Sequence, residues 1–195
     1  MEHWRGVARV AAKDDPLNAD AWVVLGQCEY ALSRYEASRG AYSAALQLRR
    51  NPATLIGLGD ACAACRDTAG AVAAFQAALE IDPASGPALA RLGRERAHAG
   101  NDHEAVPLFE RAIELFSSDK DSAALVLVDL ALSQVRLKAN ASVRALLASA
   151  DLDNGEAVDM LFAQVREALG PELTARLHDG LVPTNARLAA RFSPA

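Results

Sequence analysis

The one spacing in this sequence that matches reactive chemistry is Cys62-Ala63-Ala64-Cys65. A redox pair of this kind needs its attacking thiol at a helix N-terminus, where the dipole lowers the pKa; the apolar register instead puts both cysteines late in a helix. A structural zinc site needs four ligands, and no second C-x-x-C accompanies this one. The expected role is two small packing residues on an alanine-rich helix. His3, His98, His103 and His178 include no pair at helical metal-ligand spacing and no neighbour of a serine elbow, so each reads as exposed or as filler between helices. Gly57-Leu58-Gly59 and Gly86-Pro87 follow no strand and precede no Gly-Lys-Ser/Thr, which argues against a phosphate loop. The carboxylates read as capping, turn and exposed helical residues. Neither a catalytic constellation nor a metal or cofactor is expected.

Binding chemistry is better represented. Arg91, Arg94 and His98, spaced by three and four, share one helical face. Guanidinium groups placed there can grip a carboxylate with paired hydrogen bonds. The competing role is internal pairing with Asp60 and Glu95.

The elements that carry these residues follow from composition. Of 195 residues, 51% are apolar and only 5% aromatic, with alanine dominant. Alanine is the strongest helix former, and strands favour β-branched and aromatic residues, so an all-α chain is expected. A net charge of −5 argues against a nucleic-acid partner, which would call for a basic surplus. No apolar run approaches the length that spans a bilayer, so no membrane partner is expected either. The start, Met-Glu-His-Trp, lacks the basic-then-apolar order of a signal peptide, and three cysteines cannot all pair within the chain. A reducing, cytoplasmic compartment is the expectation.

An internal repeat organises the chain. Leu25-Gly26, Leu58-Gly59 and Leu92-Gly93 recur at spacings of 33 and 34 residues. With each glycine set at position 8, position 4 is Trp22, Leu55 and Leu89, and position 20 is Ser38, Ala71 and Ala105. Position 24 is Tyr42, Phe75 and Phe109, and position 27 is Ala45, Ala78 and Ala112. Small residues at 8, 20 and 27 allow close helix approach, while large ones at 4, 7 and 24 fill the space between. Breakers at Arg66-Asp67-Thr68 and Gly100-Asn101-Asp102 divide the second and third units each into two helices.

This pattern resembles the tetratricopeptide repeat from Ala19 to about Asp119. The resemblance implies a right-handed all-α solenoid of antiparallel helix pairs with atypical C-terminal capping helices. The expected division is 1–18, the second helix of a partial repeat; 19–51, 52–85 and 86–119, three units; 120–155, a degenerate fourth; and 156–195, the cap. In the fourth unit the register places Leu125, Val128, Ala141, Ala145 and Ala148 at positions 4, 7, 20, 24 and 27, with Asp129 replacing the glycine. Arg49-Arg50-Asn51-Pro52 closes the first unit late, which suggests a looser joint there.

In this family the first helix of each unit lines a concave groove. The resemblance therefore implies a peptide-binding surface made by Val23, Gln27, Tyr30, Ile56, Asp60, Arg91, Arg94 and His98, with Ala90 and others between them. The expected function is a non-catalytic adaptor or assembly factor holding an extended peptide or helix of a protein partner. An acidic or C-terminal carboxylate feature on that partner suits the arginines. The alternative is a scaffold subunit that self-associates as a homo-oligomer, or docks through its ends or convex face. The clamp by which some members hold chaperone tails would fall on Val23, Gln27, Gly57, Pro87 and Arg91. Only Arg91 matches, which argues against that subtype.

Overall fold

Alanine-rich stretches punctuated by Asn, Asp, Gly and Pro fold as α-helices, with no strand among the described residues. The computed structural model describes residues 2–116, 119–138, 163, 166–167 and 170–181. In chain order the helices are α1 (Glu2–Asp14), α2 (Ala19–Ala31), α3 (Tyr35–Leu48), α4 (Pro52–Ala64), α5 (Thr68–Ile81), α6 (Gly86–His98), α7 (Asp102–Leu115), α8 (Lys120–Lys138) and α9 (Pro171–Leu181). Two compact units divide the chain, Met1–Glu95 and Arg96–Ala195.

In the first unit, side-chain caps start α2, α4 and α5. Asn18 Oδ1 accepts from Ala21 N at 3.1 Å to begin α2. Asn51 Oδ1 accepts from Ala53 N at 2.8 Å to begin α4, with Pro52 in the first turn where its missing N–H costs nothing. Asp67 Oδ1 accepts from Gly70 N at 2.9 Å to begin α5. Each such cap contributes about 1 kcal/mol. The joint between the first two repeats is thus a built cap, where the sequence suggested looseness: the late Asn-Pro is the N-terminus of α4.

The turn inside each repeat is the same structure three times over. Ser33 and Arg66 are left-handed at φ 58° and 63°, and in the second unit Gly100 is so at 79°. The residue after each donates its N–H five residues back: Arg34 to Glu29 O at 2.8 Å, Asp67 to Cys62 O at 2.9 Å, and Asn101 to Arg96 O at 2.8 Å. These are Schellman closures, which satisfy carbonyls the helix end would otherwise leave orphaned.

Glycine and aromatic then interlock. A Cβ on Gly26 would lie 2.9 Å from Tyr42 Cε1, and one on Gly57 2.6 Å from Tyr42 Cζ. Tyr42 on α3 therefore wedges its ring against both α2 and α4. Phe75 on α5 lies against Gly59 in the same way. Ser38 Oγ, fully buried, donates to Gly26 O at 2.8 Å, so the small residue at position 20 also satisfies a backbone acceptor. Ala8 and Ala12 of α1 join Ala21, Leu25 and Ala41 in one core cluster, and Leu55, Ala78 and Ala88 form another.

The second unit holds α7, α8 and α9, with α8 packed on both others. Asp102, 6% exposed, receives Arg136 Nε at 2.9 Å on Oδ1 and 3.0 Å on Oδ2, while Arg136 Nη2 reaches Oδ1 at 2.6 Å. Arg136 Nη2 also reaches Ser133 Oγ at 2.9 Å. α8 corrects the expected register. Leu125 is 64% exposed, whereas Leu127 and Leu130 are buried. The inward stripe thus lies two residues further on, in a helix of 19 residues where α2, α4 and α6 run 13. Ala141, Ala145, Ala148 and most of the expected cap, 156–195, lie outside the described residues. α9 falls within the segment expected to form the cap.

Candidate functional site

α2, α4 and α6 are the first helices of successive repeats, and each carries a stripe of residues off its buried one. On α2 that stripe carries Val23, Val24, Gln27, Tyr30 and Ala31; Val24 and Tyr30 are about 40% exposed, Gln27 and Ala31 are exposed, and Val23 is half-buried. The buried stripe on the same helix is Ala21, Leu25, Gly26 and Cys28, which explains the division of labour: apolar residues on both sides keep α2 a helix while freeing one side.

On α4 the equivalent positions are Ile56, Gly57 and Asp60, all half-buried. Ile56 packs partly against the Leu55–Ala78–Ala88 cluster, so only part of its side chain faces outward. On α6, Arg91 and Arg94 are half-buried, but Ala90 is only 3% exposed and belongs to the core. The expected lining position at Ala90 is therefore corrected: the residue is buried.

The structure joins three of the expected residues. Arg91 Nε donates to Asp60 Oδ1 at 2.6 Å, and Arg91 Nη1 reaches Pro87 O at 3.5 Å. Both partners are about 30% exposed, so solvent screens the pair in part. The Tyr30 hydroxyl is held above its ordinary pKa first by burial, then by Asp60 and Tyr35, with Arg91 acting in the opposite sense. Tyr30, Asp60 and Arg91, from three helices, thus share one electrostatic neighbourhood. Tyr30 also packs edge-on against Tyr35 at 5.3 Å between ring centroids. Beneath them, burial foremost and then Asp60, Tyr30 and Cys28 push the Tyr42 hydroxyl up to about 12. Both phenols remain protonated donors at neutral pH. His98 closes α6, is exposed, and belongs to the second compact unit.

Sequence reasoning missed two buried carboxylates. Glu29 is 8% exposed, with Arg5 Nε at 3.9 Å and Arg34 Nη1 at 3.8 Å. Asp102 is the other. Neither capping nor exposure describes them, and only arginines at matching repeat offsets could have signalled their pairing. The cysteines behave as packing residues. Burial is the leading cause that raises both the Cys62 and Cys65 thiols, with Asp67 adding to it at Cys62 and Glu36 at Cys65. Both are disfavoured as thiolates, the reverse of what a redox pair requires. Among the described residues no group of three or more His, Cys, Asp or Glu could hold a metal ion. No helix among them is long and apolar enough to cross a membrane.

Two tetratricopeptide-repeat profiles match consecutive stretches, residues 6–53 and 53–85, which together span α1 to α5. Residues 6–85 are tetratricopeptide repeats. Among solved structures, the chain is similar to MamA, at TM-score 0.62 and 17% identity over 88% of this chain and 83% of that one. It is similar to the tetratricopeptide domain of Sgt2 from Aspergillus fumigatus, at TM-score 0.56 and 22% identity over 61% and 78%. A third is YrrB, described as a tetratricopeptide protein with an unusual peptide-binding site, at TM-score 0.57 and 17% identity over 94% and 86%. At these identities the likeness establishes the fold, an all-α solenoid of helix pairs. A search of curated proteins finds no match. Repeats of this family serve as protein-interaction modules, and that general class applies here.

Proposed function

We propose that the stripe on α2, α4 and α6 binds an extended peptide or a helix of a protein partner, and that the chain acts as an adaptor or assembly factor. The observation that carries this reading is the linkage of Tyr30, Asp60 and Arg91 across three successive first helices. A core-forming helix face would bury such groups; this one leaves them half-exposed beside Val24 and Gln27. The apolar α2 end supplies contact area, and Tyr30 supplies a rigid ring with a hydroxyl donor. Arg91 and Arg94 supply the charge that fixes direction, toward an acidic side chain or a C-terminal carboxylate. YrrB, on the same fold, is described by its peptide-binding site, which makes a peptide a reasonable occupant.

The test is a display library of random peptides with free C-termini, panned on the purified chain and followed by fluorescence titration. Selected sequences enriched in acidic residues or terminal carboxylates, bound at least about tenfold more weakly by a folded Arg91→Glu/Arg94→Glu chain, are the expected result. Equal binding by the parent and the variant would remove the groove from consideration.

A further inference from the structure

Tyr42 carries an atom that packing does not require. It stands at position 24 of its repeat, where the next two repeats carry Phe75 and Phe109. Those two rings are 1% and 0% exposed, whereas Tyr42 is 6% exposed. Two glycines fix the direction of its ring. The inner edge, Cγ, Cδ1 and Cε1, lies 2.9–3.1 Å from where a Cβ on Gly26 of α2 would be. The outer end, Cζ and Oη, lies 2.6 and 3.0 Å from where a Cβ on Gly57 of α4 would be. The hydroxyl is thus carried past α2 to Gly57, on the stripe of α4 that holds Ile56 and Asp60. The residue two before each repeat glycine is Val24, Gly57 and Arg91. A glycine therefore follows the repeat with tyrosine, and an arginine follows the repeat with Phe75.

Among the described residues, the polar side-chain atoms buried without a partner are Arg5 Nε and Glu29 Oε2. The Tyr42 hydroxyl is not one of them, and no described group hydrogen-bonds it. It therefore opens onto the α4 stripe. After burial, the groups that act on it are Asp60, then Tyr30 and Cys28. Arg91 Nε engages one oxygen of Asp60, which leaves that carboxylate further acceptor capacity.

We propose that Tyr42 and Asp60 form a subsite for one peptide group of an extended ligand. The Tyr42 hydroxyl donates to a backbone carbonyl, Asp60 accepts a backbone N–H, and the missing side chain of Gly57 lets the strand lie close. This rests on the groove reading above and narrows its occupant to an extended chain. A helix spends its carbonyls and N–H groups on itself and has neither to offer, while an extended segment carries both free. The subsite holds backbone, whatever the sequence, while Arg91 and Arg94 select charge.

The probe is the tightest peptide selected from the free-C-terminus library. Tyr42→Phe keeps the ring that suffices in the other repeats, so the thermal midpoint should not fall, and affinity should drop about threefold to tenfold. Peptides with single amides replaced by esters should include one whose loss of affinity on the parent chain shrinks to less than about twofold on Tyr42→Phe. Full affinity in Tyr42→Phe, ester losses that add to the Phe loss at every position, or helical circular dichroism gained by the peptide on binding would each overturn the inference. If Arg91→Glu/Arg94→Glu weakens the probe while Tyr42→Phe does not, the subsite fails and the groove stands. If neither does, or the library yields no binder, the groove is lost and the subsite with it.

Discussion

Asp60 Oδ1 and Arg91 Nε are 2.6 Å apart on first helices of neighbouring repeats, so the guanidinium of the proposed groove is already partly engaged. An incoming carboxylate competes with Asp60 for it. Asp60→Asn removes the competing charge and is expected to tighten an acidic peptide by about threefold to tenfold, read by fluorescence polarisation. Weaker binding would mean that Asp60 positions Arg91 instead of competing for it.

Packing against the aromatic wedges gives a second prediction. A Cβ on Gly59 would fall inside the contact distance of the Phe75 ring, whereas one on Gly40 meets nothing within 4 Å. Gly59→Ala should cost about 1–3 kcal/mol through overpacking. Gly40→Ala, exposed in the middle of α3, should gain about 0.5–1 kcal/mol from helix propensity. Opposite shifts in thermal midpoint check the pair, and two shifts of the same sign would contradict it.

The repeated turn makes a third. Arg66 holds φ at 63° where Gly100 holds 79° at the same place in its own repeat. Arg66→Gly is expected to stabilise by about 0.5–1 kcal/mol, since a residue with a Cβ is strained there. Gly100→Ala is expected to destabilise by about 1 kcal/mol, the left-handed strain exceeding the entropy gained. Denaturant midpoints measure both.

Asp102 supplies a pH dependence. Burial by itself would raise its pKa, but hydrogen bonds from Arg136 and Ser133 outweigh it and hold the carboxyl below the ordinary 3.8. A carboxyl with a lowered folded pKa stabilises the fold above its unfolded value and loses that contribution as the pH falls through the folded one. Unfolding midpoints should therefore decline below about pH 4. Arg136→Ala should destabilise the neutral protein by about 1–3 kcal/mol and flatten the acid decline, because Asp102 then stays buried without its partner. An unchanged acid profile in that variant would contradict this assignment.

Period and turn chemistry were legible because they are local. Leu-Gly landmarks, Asn51-Pro52 and Asp67 each act within a few residues of themselves. The proposed groove rests on the family's geometry, and Ala90 shows the limit: whether a helix position faces outward or is buried depends on small rotations that sequence spacing does not encode. Leu125 was misplaced for a related reason, since nothing in the sequence announces that α8 gains extra turns before its inward stripe begins. Glu29 and Asp102 were missed because their arginines arrive from other helices, and charge alone reads as surface.

The helices of the first unit meet largely through methyl groups: Ala8, Ala12, Ala21, Ala41, Ala45, Ala61, Ala71, Ala74 and Ala78 are all buried. An alanine has no χ angle to turn, so these joints cannot yield by changing rotamer. When a load is applied, by a ligand or by a neighbouring molecule, the compliant coordinate left to them is the sliding of one helix along the next. Mechanically the array behaves as a stack of smooth rods pinned at intervals by Tyr42 and Phe75, stiff to compression and softest in shear.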